Sequence, residues 1–463
     1  MASLINRPTR LDQSPPANEK PAVARYILQP HSRTTKVEQF LLLTSIVVLP
    51  LQDYFPAVAG MSISFLLFAA LAAYVIVNRP RALGAIWYHP VFISAAAFFV
   101  VSGLLEFSSP LPKYSESVRF ATMVGGMVCV AALCRDRSAL TAGLYGYIAA
   151  ALWVSVLLYM TSYGTLQDMG AEDFSEADTL RAQTFGDKPV GANINALAIV
   201  CVQGAIVAVG LGLSTRLKQH RIPLLGIATF CLIASFLPMS RGAVVMSLLA
   251  FAVMFYARGG RQGKALIFIC VIGLALYMLV PSAVWSRMVF STKAGESGKM
   301  ESRAYIYTNA LNRLPEYIVA GIGAGNFHSK WGVEKGFGKK IGGVVVALGA
   351  HNAFLQITIF WGFFGLLTFL WFIGCVYRSI PLRCGRDELS LALLGILISL
   401  GAVLMQTHNF ADKSFALGVG MLIGSRQWIW PSGIVSGIEG RRPPSGLDTN
   451  SQKPPLLHRQ EDF

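Results

Sequence analysis

The pair His351-Asn352 stands directly before an apolar run of residues. That run leads to two glycines, Gly362 and Gly365. Eleven residues span about three helical turns, so an unbroken helix would place His351 and Gly362 on one face. Glycines at this spacing allow a second helix to pack closely. The start of a helix disfavours a protonated imidazole, so His351 could stay neutral and act as a general base. A simple polar cap on the helix is the alternative role.

A second group that could do chemistry is Ser240-Arg241-Gly242, which precedes another apolar run. Ser240 is a suitable N-cap for a helix that begins there. Arg241 would then lie at a helix N-terminus, where the macrodipole disfavours a cation. The sequence therefore predicts an anionic partner for Arg241. In the alternative role, its long side chain extends to lipid headgroups.

The long, Gly-rich segment 284–350 supplies further cations, among them Arg287, Arg303 and Arg313. Arg303 begins a helix that the pattern predicts near 301–313. Loops of this length in a compact protein are usually functional. We therefore expect this segment to contribute to a site.

The sequence offers no evident place for a cofactor. Gly321-Ile322-Gly323-Ala324-Gly325-Asn326 lacks the third glycine and the strand–helix context of a dinucleotide fingerprint, and we expect a flexible turn there. No Asp-x-Asp pair and no cluster of His, Asp and Glu has the spacing of a metal site. The seven cysteines lie in apolar runs or at their ends, so we expect small apolar filler and no disulfide. No metal or other cofactor is expected.

Long apolar runs carry these groups. The chain of 463 residues is 54% hydrophobic and 14% charged, whereas soluble domains average about 25% charge. A membrane-crossing helix needs roughly 20 apolar residues, and about twelve runs qualify. A packed soluble all-α protein is disfavoured, because these runs lack polar faces. The sequence predicts an all-α, polytopic integral membrane protein of about twelve transmembrane helices. The predicted spans lie near 37–51, 57–77, 90–107, 118–134, 140–161, 191–213, 222–238, 242–257, 265–283, 351–377, 389–408 and 413–429.

Positive charge is distributed unevenly between the two faces of this predicted membrane protein. The net charge is +15, which in a soluble protein would suggest a nucleic-acid partner. Here Lys and Arg concentrate in the two tails and in short segments on one side, including 79–81, 135–137 and 216–221. The positive-inside rule makes that side cytoplasmic. We therefore predict an N-in/C-in topology, contact of the basic groups with membrane lipids, and no nucleic acid.

Composition divides the chain into three regions. Residues 1–36 and 431–463 are polar and contain several prolines, so we predict disordered cytoplasmic tails. Residues 37–430 form the predicted polytopic membrane domain. Two long loops lie on its exported face: an acidic one at 162–190 and the basic one at 284–350.

The order of these motifs resembles a known superfamily. His351-Asn352, nine residues, Gly362, two residues and Gly365 resemble the signature of the O-antigen ligase and O-antigen and exopolysaccharide polymerase superfamily. Ser240-Arg241-Gly242-Ala243 is similar to the arginine turn of that superfamily.

Two other segments carry the same resemblance. Arg303, followed by Tyr307 and the run Gly321–Phe327, resembles the large periplasmic loop of the superfamily. Asn195, followed by Ala-Leu-Ala, resembles the start of one of its mid-chain spans. The resemblance covers a ligase- or polymerase-like core at about 190–375, and the first 160 residues match only as generic spans.

The resemblance implies a glycosyltransferase of the bacterial inner membrane. It would move a glycan from an undecaprenyl-pyrophosphate carrier to an acceptor on the periplasmic face, with inversion and without a metal. Arg241 and Arg303 would bind the pyrophosphate leaving group, because guanidinium offers paired donors to phosphate oxygens. His351 would take a proton from the acceptor hydroxyl or orient it.

Substrate contacts are also expected from Asn352, Arg287 and Asn195. Arg287 and Arg313 compete with Arg303 for the role of second essential cation.

Two other functions stay open at this stage. A transporter or flippase of lipid-linked sugars would need a polar central cavity, and its usual midplane ionisable groups are missing apart from the end-proximal Glu106 and Asp412. A non-catalytic scaffold of a polysaccharide export complex would tolerate the loss of His351. Within the enzyme hypothesis, a lipid A-core acceptor makes a ligase and a growing polysaccharide makes a polymerase, and the sequence does not separate the two.

Overall fold

The structure of the protein is a computed structural model. It describes residues 34–49, 63–168, 194–213, 218–257, 273, 278, 280, 284, 303–341, 344–380, 387–407, 410 and 413–429. Arg287, nearly all of both predicted tails and most of the predicted span 265–283 lie outside the described residues.

The described chain is mostly helical. Six helices, those numbered α4, α5, α6, α7, α13 and α14 below, are long and apolar enough to cross a membrane. The helices are α1 (Lys36–Val48), α2 (Ile63–Asn78), α3 (Pro80–Trp87), α4 (Pro90–Phe107), α5 (Ser115–Leu133), α6 (Arg137–Asp168), α7 (Ile194–Gly212), α8 (Arg221–Phe236), α9 (Arg241–Ala257), α10 (Arg303–Asn312), α11 (Leu314–Tyr317), α12 (Ala324–Asn326), α13 (Ala353–Ser379), α14 (Glu388–Gln406) and α15 (Lys413–Ile429).

Five short elements complete the order. A 3-10 turn, Lys218–His220, precedes α8, and two π-helical turns, Phe327–Trp331 and Val333–Phe337, follow α12. An antiparallel hairpin of β1 (Gly338–Ile341) and β2 (Val344–Ala347) comes next.

Local chemistry explains where several helices begin. Thr35 and Glu38 form a reciprocal capping box at the start of α1. Pro80 and Pro90 open α3 and α4, where the missing N–H has no helical partner to lose. The Asp387 side chain caps α14 by accepting a hydrogen bond from a backbone N–H.

Small residues allow the helices of the bundle to pack closely. α7 lies against α6, α8 and α14, while α13 packs on α4 and α15 packs on α5. A side chain on Gly204 would overlap Ala151 of α6, and one on Gly210 would meet Ala392 of α14. In a lipid-embedded bundle, such contacts replace the hydrophobic effect as the source of helix association.

Described helices lie at eleven of the twelve predicted spans. The predicted bounds 90–107 and 413–429 coincide with α4 and α15. α6 continues to Asp168, into the predicted acidic loop 162–190. The hairpin departs from the purely α class, and the count of about twelve spans and the N-in/C-in topology stay predictions.

Two of the arginines predicted to be cytoplasmic are ion-paired. The Arg79 Nε lies 2.6 Å from the Glu38 Oε1, and the Glu38 side chain is 1% exposed. Arg137 contacts Asp387, at 2.9 Å, and Glu388 at the start of α14. One pair joins the starts of α1 and α3, and the other joins the starts of α6 and α14.

α13 is broken at Trp361 and Gly362, which have φ values of −130° and 60°. In a straight helix, Phe354 and Phe369 would lie about 22 Å apart along the axis. Their ring centroids are 5.7 Å apart, a gap that two Phe side chains cannot close across a straight helix. The chain therefore bends back at Gly362. The prediction that His351 and Gly362 share one helical face is wrong, because the backbone of both residues lies outside the helical region.

The segment 318–325, called the wedge below, fills this break in α13. The Phe363 N–H donates to the Ile318 carbonyl at 2.6 Å. In return, the Ile322 and Gly323 N–H groups donate to the carbonyls of Ile359 and Phe360, at 3.0 and 2.9 Å. These bonds satisfy backbone groups that lost their helical partners at Gly362.

One buried carboxylate fixes the end of the wedge. Glu106, at the end of α4, is 0% exposed. Its Oε1 accepts from the N–H groups of Lys113, at 2.7 Å, and Gly325, at 3.2 Å. Its Oε2 accepts from the Ala324 N–H, at 2.8 Å, and the Trp361 Nε1–H, at 3.1 Å. Glu106 thereby joins α4 and the chain after it to both the wedge and the broken helix.

Replacement of Glu106 by Ala tests this junction. The change leaves four donors without their acceptor, and a buried unsatisfied donor costs about 1–3 kcal/mol. We expect a loss of at least about 3 kcal/mol of stability, seen as a lower Tm of the purified protein in detergent. Glu334→Ala, which removes an exposed carboxylate, is the control. Equal Tm values for the two variants would contradict the assignment.

Candidate functional site

The arginine turn and the histidine turn both contact the last residues of α14. The Gln406 Nε2 donates to the Gly242 carbonyl at 3.1 Å, directly after Arg241. The Asn352 Nδ2 lies 3.5 Å from the Met405 carbonyl oxygen. Two predicted motifs that are more than a hundred positions apart in the sequence therefore meet at one end of the bundle.

The third predicted segment reaches the same place through α10. The Tyr307 hydroxyl donates to the His351 carbonyl at 3.2 Å. Arg303, the first residue of α10, is exposed. It precedes Tyr307 by one helical turn, and residues four apart lie on the same helix face. The structure thus brings the Arg303 helix to the His351 turn.

His351 has a left-handed backbone, with φ 50°. This conformation is strained for a residue with a Cβ and persists only where the surroundings impose it. Hydrogen bonds hold both neighbouring positions: the Ala350 N–H donates to the Gln356 Oε1 at 2.6 Å, and the Asn352 Oδ1 accepts from the Leu355 N–H at 3.1 Å. The histidine is therefore presented on a fixed turn.

The arginine turn has the same unusual feature. Met239 has φ 54°, and within the described part of the chain only Met239 and His351 combine a side chain with a positive φ. The Ser240 carbonyl accepts the first bond of α9, from the Ala243 N–H at 3.1 Å. Ser240 therefore occupies the N-cap position predicted for it. Arg241 follows in the first turn of α9 and is half-buried.

The charges of this region favour an anion. α9 and α13 both begin here, and the N-terminal ends of helices present unpaired N–H groups and a positive dipole end. Arg241 and Arg303 add two guanidinium groups on separate elements. A phosphate group would suit such a place. His351 supplies the one imidazole on a strained turn within the described residues.

The remaining predicted site residues have other positions. Asn195 lies in the first turn of α7 and is half-buried. Arg287 lies outside the described residues. The Asn352 side chain caps α13, so its oxygen is already used within the protein.

The two glycines of the motif act differently from the expected helix packing. A Cβ on Gly362 would overlap the Val319 carbonyl of the wedge, and one on Gly365 would meet Trp361 of the same helix. The close approach at Gly362 is therefore made by the wedge and not by another membrane helix. The expected flexible turn at Gly321–Asn326 is also wrong, because Gly321 and Gly323 pack tightly there with φ values of 75° and 81°.

Residues after the wedge form a small folded unit beside the site. Trp331 stacks on Phe337, with ring centroids 5.7 Å apart, and its Nε1 donates to the Glu316 Oε2 at 3.1 Å. Arg313 donates to the same carboxylate at 3.1 Å. Although partial burial raises the pKa of Glu316, the hydrogen bonds from Arg313 and Trp331 outweigh it and hold that pKa below its usual value. Arg313 is thus engaged with Glu316, which favours Arg303 as the second cation.

Sequence reasoning missed three residues that hold the site together: Glu106, Gln356 and Gln406. Each had a weak signal, since each is a strongly polar side chain near the end of an apolar run. Glu106 and Gln406 have partners far away in the sequence. The partner of Gln356 is the Ala350 N–H in the irregular turn before α13, and the pattern could not predict the conformation of that turn.

Gly242→Ala tests the contact between α9 and α14. A Cβ at position 242 would overlap the Gln406 amide, so the amide must move and its bond to the Gly242 carbonyl is lost. We expect this to cost about 1 kcal/mol and to shift the arginine turn. Gln406→Ala in the same chain should relieve the overlap, so the double variant should have a higher Tm than Gly242→Ala alone. A double variant that is less stable than either single variant would contradict this geometry.

Comparison with known proteins gives one finding. Residues 224–370 match the family model described as O-antigen ligase. This range includes Arg241, Arg303 and His351. The match supports the O-antigen ligase family and a ligase- or polymerase-type function in polysaccharide biosynthesis. Together with the apolar helices, it indicates a multi-pass bacterial membrane protein. No curated protein matches the chain.

Proposed function

We propose, on the premise of the O-antigen ligase match at 224–370, that the protein is a glycosyltransferase of the bacterial inner membrane. It transfers a glycan from an undecaprenyl-pyrophosphate carrier to an acceptor on the periplasmic face. The observation that carries this proposal is the meeting of the Arg241 turn, the Arg303 helix and the His351 turn at one end of the bundle.

Arg241 and Arg303 act on the leaving group. When the bond between the sugar C1 and the pyrophosphate oxygen breaks, negative charge grows on that oxygen. Guanidinium groups and helix N-termini in fixed positions stabilise such charge without reorganising at the moment of reaction. This placement of positive charge accounts for transfer without a metal.

His351 acts on the acceptor. The neutral imidazole removes the proton of the acceptor hydroxyl as that oxygen attacks C1 from the side opposite the pyrophosphate. The new bond forms as the old one breaks, so the anomeric centre is inverted. The proton remains on His351 until solvent or the departing pyrophosphate takes it up.

The membrane arrangement follows from the same proposal. Residues 37–430 form a bundle of about twelve transmembrane helices, and 1–36 and 431–463 are cytoplasmic tails. The core at 190–375 carries the reaction, and the loop 284–350 covers the glycan on the periplasmic side. The isoprenoid chain of the donor stays between helices. The acceptor is lipid A-core if the protein is a ligase and a growing polysaccharide if it is a polymerase.

His351→Gly tests the base without disturbing the turn. Both glycine and alanine lack the imidazole, but glycine adopts φ 50° without strain, whereas alanine would remain strained. With an undecaprenyl-pyrophosphate oligosaccharide, an acceptor and EDTA, we expect transfer to fall at least about 100-fold. Transfer by His351→Asn should fall by the same factor, since Asn tolerates this backbone conformation but has no imidazole. His220→Ala, at an exposed position, is the control, and undiminished transfer by His351→Gly would remove His351 from the mechanism.

Arg241→Gln and Arg241→Lys separate charge from geometry. We expect Gln to lower kcat about 100-fold or more. Lys keeps the charge but not the paired donors, so kcat should fall less in Arg241→Lys than in Arg241→Gln. Arg119→Gln, which alters an exposed arginine elsewhere, should leave transfer unchanged.

The acceptor that is consumed distinguishes ligase from polymerase. Movement of the lipid-linked glycan across vesicle membranes without any new glycosidic bond would instead identify a transporter or flippase. No product and no movement by the native protein would favour the scaffold.

A further inference from the structure

We propose that Gln356 is a positioning residue that holds His351 in its reactive orientation. This inference rests on the proposed function of His351. Gln356 lies in the first helical turns of α13 and is 1% exposed. A Gln so deeply buried in an apolar helix needs a partner, because an unpaired buried amide costs free energy.

The partner of Gln356 is the turn that carries His351. The Gln356 Oε1 accepts from the Ala350 N–H at 2.6 Å. Ala350 is itself 0% exposed, so no solvent can replace that acceptor. The peptide N–H one residue before His351 is therefore fixed by a side chain five residues after His351.

This bond acts directly on a strained residue. His351 keeps φ 50° only while its surroundings impose that value. The Tyr307 hydroxyl donates to the carbonyl of His351 itself, at 3.2 Å, and the Asn352 side chain caps the helix that follows. Gln356 holds the other side of the turn. Without the Gln356 acceptor, the chain at 350–351 can relax to an ordinary backbone conformation, which turns the imidazole elsewhere.

The oxygen of the Gln356 amide is bonded within the described residues, but its nitrogen is not. A residue present only to fill the core would avoid this cost, since Met or Leu occupies a similar volume without polar atoms. The acceptor oxygen is thus the feature that this position requires.

The part of α13 that carries Gln356 is itself anchored. Residues 353–360 lie before the break and are joined to the wedge through the carbonyls of Ile359 and Phe360. Glu106 in turn holds the wedge and Trp361. The backbone that carries the Gln356 side chain is therefore held in place, so its Oε1 has a defined position relative to the Ala350 N–H.

Two substitutions separate the acceptor from the bulk of the side chain. Gln356→Met keeps the volume and removes the acceptor. Gln356→Glu keeps an oxygen for the Ala350 N–H. We expect Met to lower kcat at least about 10-fold, because small displacements of a catalytic group cost up to about 100-fold. The KM for the lipid-linked donor should stay within about twofold. Gln356→Glu should have a kcat close to that of the native protein.

A double-mutant cycle with His351→Gly distinguishes positioning from a general structural role. If Gln356 acts through the imidazole, adding Gln356→Met to His351→Gly should lower kcat by less than about a further threefold, because the imidazole is already missing. If Gln356 had only a structural role, the loss of kcat in the double variant would be the product of the two single losses. Multiplied losses, or a native rate for Gln356→Met, would overturn the proposal.

Hydrogen exchange at 346–354 gives a readout that does not depend on transfer. The Ala350 amide should exchange faster in Gln356→Met than in the native protein, with the native rate restored in Gln356→Glu. Unchanged exchange in Gln356→Met would overturn the proposal. If His351→Gly keeps full transfer while exchange changes as expected, the proposed role of His351 fails and the hold of Gln356 on the turn stands.

Discussion

The Glu106 carboxylate is the interaction on which this structure depends most. A carboxylate that is 0% exposed is costly unless every lone pair finds a donor. Glu106 finds three backbone N–H groups and one indole N–H. Because these donors come from three separate parts of the chain, a single side chain fixes the end of α4, the wedge and the broken helix relative to one another.

The break in α13 lies directly beside that junction, because Trp361 donates to Glu106. A continuous helix needs no outside partner for its backbone, but a helix broken at Gly362 has carbonyls and an N–H group to satisfy. The wedge supplies partners for Ile359, Phe360 and Phe363. The bend places the start of α13 beside the part of the helix that follows Gly362. The Asn352 side chain there reaches the end of α14, and the His351 carbonyl accepts from the Tyr307 hydroxyl.

Strain and rigidity occur together at the candidate site. The two described non-glycine residues with positive φ, Met239 and His351, lie on the arginine turn and the histidine turn. Such conformations cost roughly 1–3 kcal/mol each and survive only where several contacts impose them. Gln356 and Tyr307 impose the one at His351. A site built in this way presents its groups in one geometry, as the stabilisation of a charged leaving group requires.

The sequence by itself determined the membrane class, the position of most helices and the motifs around Arg241, Arg303 and His351. It could do so because apolar runs and helix N-caps are local patterns, governed by hydrogen bonding and burial within a few turns. Only the tertiary structure decided that α13 is broken, that the glycine run at 321–326 is a packed wedge, and that Glu106 and Gln356 hold the site. The bonds to Glu106 join residues far apart in the chain, and the bond to Gln356 forms with an irregular turn. No local pattern encodes such partners, so the apolar period predicted a straight helix and the glycine run a flexible turn.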